Sequence, residues 1–214
     1  LDVSDRAAVY ACAEETAAEL GEVNVVVNNA GVACAGRIKD LSYDDLEWVM
    51  NIDFWGVVYG TKAFLPHLER ARWGHVVNIS SVFGMIAVPT QGAYNAAKFA
   101  VRGFTECLRQ ELEVDRSTVS ATSVHPGGIK TAIAANARFV GAEDWLGPKD
   151  KSVKRFGAMA RTSPEGAAAA IIDGVLRDAP RVLIGADAAM IDLGQRIFPT
   201  AYRAATKSIL VRRR

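Results

Sequence analysis

Short apolar runs alternate with longer segments of helical periodicity along this chain. The run at 24–27 is continuous and β-branched, without hydrophobic–polar alternation, and is followed by three further strand-like runs at 75–79, 118–124 and 181–184. A continuous apolar run of this kind is typical of a strand that is buried on both faces in a parallel sheet. The connections are too long for hairpins, so the pattern predicts an α/β fold with a doubly wound parallel sheet.

The segments between these runs have the spacing of helices. Helical periodicity covers 6–20, a long region from 41 to about 70 with a break inside it, 92–114, 164–177 and a terminal segment at 187–209. Ser4, and later Ser163 with Pro164, are residue types that begin helices. Segments 32–38 and 83–91 are predicted loops, and 131–163 is a long irregular stretch.

Polar or glycine-rich residues follow three of the predicted strands. They are Asn28-Asn29-Ala30-Gly31, Ser80-Ser81 and His125-Pro126-Gly127-Gly128. In open parallel sheets, ligands bind beyond the carboxyl ends of the strands. The three strand ends therefore predict one ligand site along a single edge of the sheet.

Composition and charge narrow the class of ligand. The chain has 214 residues, half of them hydrophobic, and a formal net charge of +1, which is typical of a globular domain with a substantial core. A net charge this small does not attract nucleic acid or an anionic membrane. Arg212-Arg213-Arg214 form a local basic cluster, which we interpret as a solvated end. No apolar run approaches the ~20 residues that span a bilayer, so stable membrane insertion is not expected.

The cysteines and histidines argue against disulfides and metals. Cys12, Cys34 and Cys107 are odd in number and widely spaced, which favours a reducing compartment and hence the cytoplasm. The three histidines have no zinc-like spacing with these cysteines. We therefore expect no metal site.

The segment 81–98 carries the candidate chemistry. Tyr94 and Lys98 are four residues apart in a predicted helix, so their side chains share one face. A nearby ammonium favours the phenolate, and so lowers a tyrosine pKa from its reference value of ~10 toward a value useful for proton transfer. Ser81, thirteen residues before Tyr94, is placed to polarise a substrate carbonyl from another element.

Together these residues resemble the short-chain dehydrogenase/reductase family. The resemblance runs from Asp2 to Thr131 and continues more loosely to the last strand. It rests on Asp2-Val3, N-N-A-G at Asn28-Asn29-Ala30-Gly31, Asn51, Ser81, Tyr-x-x-x-Lys at 94–98, and Pro126-Gly127 with Thr131. A tyrosine with a lysine four residues later is weak alone, but the ordered set is specific.

The resemblance implies a Rossmann-like three-layer fold and an NAD(P)-dependent oxidoreductase that interconverts a secondary alcohol and a carbonyl compound. Tyr94 would exchange a proton with the substrate oxygen, and Ser81 would hold that oxygen. Lys98 would lower the tyrosine pKa and bind the nicotinamide ribose, while Asn51 would order a water that resupplies protons. The implied cofactor residues are Asp2, Val3, Asn28, Ala30, Gly31, Tyr94, Lys98, Pro126, Ile129 and Thr131.

One departure from the family is large. The glycine-rich T-G-x-x-x-G-x-G turn, which holds the pyrophosphate at a helix N-terminus, is absent from these 214 residues. Since the chain begins at Leu1 and not at methionine, we expect a single domain at 1–214 without its first two strands and most of the third. The residue that separates NAD from NADP would lie in that part, so both cofactors stay open.

Segment 131–163 is predicted to be a substrate lid. It is long and irregular and follows the last cofactor motif. Its apolar side chains, which indicate a hydrophobic substrate, are Phe139, Trp145, Leu146, Phe156 and Met159. The same side chains would equally pin the segment to the body of the protein, so that alternative stays open.

Two other functions are weighed against the enzyme. A dinucleotide-binding scaffold of the same fold has no need of a complete Asn51, Ser81, Tyr94 and Lys98 set, which argues against it. A membrane-peripheral protein would use 197–214 as a basic amphipathic tail. Family members often assemble through two long helices, here around 51–70 and 92–114, so by analogy we expect a homodimer or homotetramer.

Overall fold

The computed structural model describes residues 1–211. Its strands are β1 (Val25–Asn28), β2 (Cys34–Gly36), β3 (Gly74–Ile79), β4 (Val119–Pro126), β5 (Arg138–Val140) and β6 (Arg181–Ile184). Its helices are α1 (Arg6–Leu20), α2 (Tyr43–Met50), α3 (Gly56–Arg70), α4 (Gly92–Val114), α5 (Ile133–Asn136), α6 (Glu143–Leu146), α7 (Lys149–Met159), α8 (Pro164–Leu176), α9 (Ala186–Ile197) and α10 (Tyr202–Val211). A π-helical turn (Asn51–Trp55) joins α2 to α3, and a 3-10 turn (Val82–Gly84) follows β3.

The main sheet has the strand order β1-β3-β4-β6, and every neighbouring pair is parallel. Successive strand residues point to opposite faces, and both faces of the central strands are covered. Val76 packs with Leu68 and Leu108 beneath α3 and α4, whereas Val77 packs with Ala167 of α8 on the other face. The predicted α/β fold, a doubly wound parallel sheet between two helical layers, is confirmed.

Strand β1 is less buried than its sequence predicts. Val26 packs into the core under α3 and α4, but Val25 and Val27 on the opposite face are exposed. The physical reason is position, because β1 is an edge of the sheet and α8 packs over β4 and β6 instead. A β-branched run reports that a strand forms, not where it lies in the sheet.

Two predicted irregular segments contain regular structure. Residues 34–36, predicted as loop, form β2, which pairs in parallel with β5 at 138–140. The 131–163 segment is largely helical, since α5, α6 and α7 lie within it. Neither segment has a long apolar periodicity that would predict its structure, and β2 depends on pairing with a strand much later in the chain.

The predicted C-terminal helix is divided in two. Helix α9 ends at Ile197 and α10 begins at Tyr202. Pro199 explains the break, because a proline disfavours helical geometry at the residue before it. The three terminal arginines, which we interpreted as a solvated end, lie outside the described residues, so the proposed basic tail is described only as far as 211.

Candidate active site

The strand ends meet along one edge of the sheet, as predicted. Asn28 lies opposite Asn78, and Ile79 lies opposite Val124, so β1, β3 and β4 end side by side. The Asn28 amide donates to Asn78 Oδ1 at 2.8 Å and lies 3.2 Å from Thr61 Oγ1. Asn28, a predicted cofactor ligand, therefore uses its side chain to tie β1 to β3 and α3.

Ser81, Tyr94 and Lys98 come together beyond the end of β3. Ser81 begins the 3-10 turn by accepting the Phe83 amide at 3.1 Å, and its side chain is hydrogen-bonded to the Tyr94 hydroxyl. Tyr94 and Lys98 lie one turn apart on α4, with Lys98 Nζ 5.5 Å from the centre of the tyrosine ring. The spacing in the sequence thus becomes a cluster of a hydroxyl, a phenol and an ammonium.

Lys98 is buried and has two protein partners. Its side chain is 3% exposed, Nζ lies 3.2 Å from Asp53 Oδ2, and it donates to the Ile79 carbonyl at 3.1 Å. Asp53 is fully buried, and its other oxygen, Oδ1, accepts the Val32 amide at 2.7 Å. The carboxylate thereby connects the lysine to the turn that follows β1.

The structure does not bring Asn51 into this cluster. Its side chain is exposed, whereas Asp53, two residues later, is buried against Lys98. The π-helical turn contains both residues, and in it the Gly56 amide bonds back to the Asn51 carbonyl. Such turns carry one extra residue and are frequent at functional sites.

Asp53 is the residue that our sequence reasoning missed, although the sequence contains a signal for it. Val49 and Val57, four residues before and after it, are both buried. Residues at this spacing share one helical face, so Asp53 interrupts an apolar stripe with a carboxylate. A buried carboxylate requires a partner, and the only one of these candidate site residues with a positive charge is Lys98.

The pKa of Tyr94 is raised, contrary to the expectation that Lys98 brings it down. Burial of the phenol is the largest cause, and the Asp53 carboxylate also raises the pKa. The Lys98 ammonium and the Ser81 hydrogen bond lower it without overcoming those two effects. The lysine acts in the expected direction, but its charge is opposed by a neighbouring negative charge.

Residues next to the cluster hold Ser81 in place. Ser80 is buried and donates to the Lys98 carbonyl at 2.8 Å, which fits the structural role predicted for it. His125, fully buried at the end of β4, has Nδ1 3.1 Å from the Ser81 carbonyl and Nε2 3.1 Å from Ser123 Oγ. Burial lowers the pKa of His125 to about 4.

This depressed pKa predicts an acid-sensitive fold. Above pH 6.5 the histidine is neutral in both folded and unfolded chains, so its contribution to stability is complete. As the pH falls toward 4, the histidine is protonated in the unfolded chain but stays neutral in the native state. The free energy of unfolding therefore falls by about 3 kcal/mol. Urea unfolding should reveal this loss, and His125→Asn should unfold with a shallower pH dependence. An unchanged dependence in that variant would contradict the assignment.

The other predicted cofactor residues lie at different depths around the cluster. Gly31 borders it, since a Cβ there would stand 3.5 Å from Lys98 Nζ and from Asp53 Oδ2. Val3 packs against Gly56 of α3, and Asp2 accepts hydrogen bonds from Ser4. The remaining members are the exposed Ala30 and Thr131, the half-buried Pro126, and the buried Ile129, which bridges to Thr162.

Asp187 is a further residue that sequence reasoning did not single out. Its Oδ2 accepts the Gly128 amide at 2.7 Å. A Cβ at Gly127 would collide with the same carboxylate oxygen, so glycine fits this turn best. Asp187 thereby fixes the Pro126-Gly127-Gly128 turn against α9.

The donor groups at this edge fit the nicotinamide end of a dinucleotide. An ammonium has three N–H donors. Among residues 1–211, Lys98 Nζ donates a hydrogen bond to the Ile79 carbonyl and forms an ion pair with Asp53. Donor capacity is therefore left for a ligand hydroxyl beside Gly31, which is exposed and has no side chain to block the approach. The sequence has no glycine-rich turn for a pyrophosphate, so this fit concerns the nicotinamide and its ribose alone.

Segment 131–163 is anchored to α2. The Arg138 guanidinium stacks on Trp48 at 3.7 Å and pairs with Asp45 at 3.2 Å. Within the segment, Lys149 donates to the Ala137 carbonyl at 2.7 Å. Of the five apolar residues predicted to line a pocket, Met159 is 61% exposed. The other four are partly buried.

Two kinds of feature are absent from the described residues, a metal-binding cluster and a membrane-spanning helix. Residues 1–211 contain no group of three or more metal-ligating side chains. In the same range no helix has both the length and the hydropathy to cross a bilayer. Cys34 is buried, which raises the pKa of its thiol to about 11 and leaves it protonated at neutral pH.

Known proteins resemble this chain over most of its length. A family model described as short chain dehydrogenase matches residues 1–139. SadH of Mycobacterium tuberculosis, assigned as an oxidoreductase, is 50% identical over 203 residues, which are 95% of this chain and 72% of SadH. EphD of Mycobacterium bovis, also assigned as an oxidoreductase, is 34% identical over 211 residues, which are 97% of this chain and 35% of EphD.

Two solved structures have the same architecture. A short-chain dehydrogenase/reductase from Burkholderia phymatum in complex with NAD superposes with a TM-score of 0.81 at 26% identity, over 92% of this chain and 74% of that one. A short-chain dehydrogenase from Streptomyces avermitilis has a TM-score of 0.79 at 26% identity, over 97% of this chain and 78% of that one. This chain belongs to the short-chain dehydrogenase/reductase family of oxidoreductases.

Proposed function

We propose that this protein interconverts a secondary alcohol and a ketone or aldehyde carbonyl with NAD or NADP as the cofactor. The observation that carries the proposal is the cluster of Ser81, Tyr94 and Lys98 at the carboxyl edge of a parallel sheet. The neighbour of known structure that holds NAD supports a nicotinamide dinucleotide. Nothing in residues 1–211 distinguishes NAD from NADP, so the proposal covers both.

In the reductive direction, the Tyr94 hydroxyl donates its proton to the carbonyl oxygen while that oxygen becomes an alcohol. Ser81, whose side chain interacts with the Tyr94 hydroxyl, would donate a hydrogen bond to the same oxygen and so place it beside the tyrosine. The Lys98 ammonium stabilises the phenolate that is left behind. A bound nicotinamide supplies the hydride in this direction and accepts it in the other.

Asn51 is left out of the proposed catalytic set. Its side chain is exposed, whereas the buried Lys98 has the Asp53 carboxylate and the Ile79 carbonyl as its partners. Tyr94, Ser81 and Lys98 keep their proposed roles. Gly31 and the Pro126-Gly127-Gly128 turn complete the proposed nicotinamide site.

A hydrophobic substrate remains part of the proposal. Phe139 and Trp145, on the segment proposed as the substrate lid, are partly buried and lie against Lys149 and Arg37 respectively, and their rings would offer apolar surface to a substrate.

Self-association through α3 and α4 is proposed as well, because Trp55, directly before α3, and Phe99 of α4 are 44% and 41% exposed.

The experiment is a spectrophotometric assay on the complete protein. We expect oxidation of NADH or NADPH with acetophenone and 2-octanone, and reduction of NAD or NADP with the matching alcohols. The small polar ketone acetone serves as the comparison. Its kcat/KM should be at least about tenfold lower, because each methylene that a substrate buries in an apolar pocket contributes a factor of about ten or more. Folded protein that turns over none of these probes with either cofactor would count against the proposal.

A further inference from the structure

The buried pair of Asp53 and Lys98 is the feature of the site that the proposed chemistry does not explain. Lys98 alone is sufficient to stabilise a phenolate, and a neighbouring carboxylate weakens that effect. Placing a carboxylate in a site with no exposure costs free energy unless the charge is paired and hydrogen-bonded. Asp53 meets both conditions, with Lys98 at 3.2 Å and the Val32 amide at 2.7 Å.

We propose that Asp53 is a positioning residue that holds Lys98 in place, ties it to the turn after β1, and opposes the positive charge that Tyr94 experiences. This inference rests on the proposed function of Tyr94 and Lys98, and it extends that function to a residue outside the expected set. The geometry carries it, since one carboxylate contacts the lysine through Oδ2 and the Val32 amide through Oδ1.

The π-helical turn explains how Asp53 comes to lie beside Lys98. An extra residue at 51–55 shifts the helix face by about a quarter turn, and it buries Asp53 between the ends of β1 and α4. The Val32 amide directly follows the N-N-A-G motif. It is next to Gly31, whose missing Cβ leaves space above the ion pair. Asp53 thus links the lysine to the backbone that borders the nicotinamide site.

The groups that face Tyr94 define the electrostatic consequence. Lys98 approaches from its own helix and Asp53 from the π-helical turn, and both influence its pKa, in opposite directions. The ends of β1 and β3 contribute only neutral groups, namely the Val32 amide, the Ile79 carbonyl and the Ser81 hydroxyl. His125 of β4 lies behind Ser81 and is neutral above pH 4.

Asp53→Asn is the decisive substitution, because asparagine keeps the shape and still offers an oxygen to the Val32 amide. Only the negative charge is lost, so Lys98 acts on Tyr94 unopposed. We expect the phenol titration of Tyr94 to move down by about one pH unit. The probe is tyrosinate ultraviolet absorbance of the full-length protein, and subtracting the matching Tyr94→Phe variant isolates Tyr94.

The matched control is Asp44→Asn, which removes a carboxylate from an exposed position of the same helical region. Its Tyr94 titration should not move. A wild-type midpoint in Asp53→Asn would overturn the proposal. Because this titration needs neither cofactor nor substrate, a shifted midpoint in a protein without turnover would support the role of Asp53 while refuting the proposed function.

A second variant protects the test against a failure to fold. Asp53→Asn combined with Lys98→Met contains neither buried charge, so it avoids an unpaired lysine. If the two charges oppose each other at Tyr94, this double variant should titrate within about half a pH unit of the wild type. A rise of a unit or more would mean that the lysine acts unopposed in the native site, and would overturn the proposal.

Discussion

Replacing Tyr94 by phenylalanine should lower kcat/KM by about 10²–10⁴-fold, the range that a positioned general acid contributes. Phenylalanine keeps the ring, and so preserves the contacts of the ring with Phe83 and with Lys98. It removes the hydroxyl, which is hydrogen-bonded to Ser81 and which donates or accepts the proton in the proposed reaction. The assay with NADH or NADPH and the best carbonyl probe measures the loss.

The matched control for this substitution is Tyr43→Phe. Tyr43 is 82% exposed at the start of α2, so the same chemical change there should leave kcat, KM and the unfolding midpoint unaltered. Thermal unfolding of Tyr94→Phe should also stay within about 1 kcal/mol of the wild type, since only one hydrogen bond is lost. A variant that folds normally and retains more than a tenth of wild-type turnover would exclude Tyr94 as the proton donor.

The presence and parallel direction of the four main-sheet strands could be predicted because the physical signals are local and repeated. The β-branched run before Asn28 and the helix of Tyr94 follow periodicities that hold in any context, and α4 begins and ends where its pattern indicates. Strands β2 and β5 could not be predicted, because three residues carry no periodicity and their stability comes from pairing with each other. Neither strand can be predicted without knowing that the other is its partner.

At the site, the spacing of the residues predicted which side chains come together, but not the direction in which the pKa of Tyr94 is shifted. Tyr94, Lys98 and Ser81 are where the sequence places them relative to one another. The sign of the Tyr94 pKa shift depends on how deeply the phenol is buried and on a carboxylate from a different element. Asn51 was named because it matches the family's asparagine, and Asp53 was not considered, although the π-helical turn contains both residues.

The same ion pair leads to the largest expected change in stability. Lys98→Met leaves the fully buried Asp53 carboxylate without its counter-charge, and breaking a buried pair in this way costs about 3–5 kcal/mol. Urea unfolding at pH 7 measures it, with the m-value as a check that the unfolded state is unchanged. Adding Asp53→Asn to Lys98→Met should restore most of the loss, because the neutral pair has no charge to bury.

The pH dependence of that loss separates charge from packing. Burial already raises the pKa of Asp53, and Lys98 is the largest influence that lowers it, so the pKa must rise further in Lys98→Met. A carboxyl whose folded pKa lies above its unfolded value binds a proton on folding, and the native state therefore gains stability as the pH falls through the folded pKa. The deficit of Lys98→Met relative to the wild type should shrink between pH 7 and pH 5, and the His125 contribution cancels because both proteins contain it. A deficit that stays constant with pH would identify lost lysine packing as its cause, since a methylene contact does not titrate.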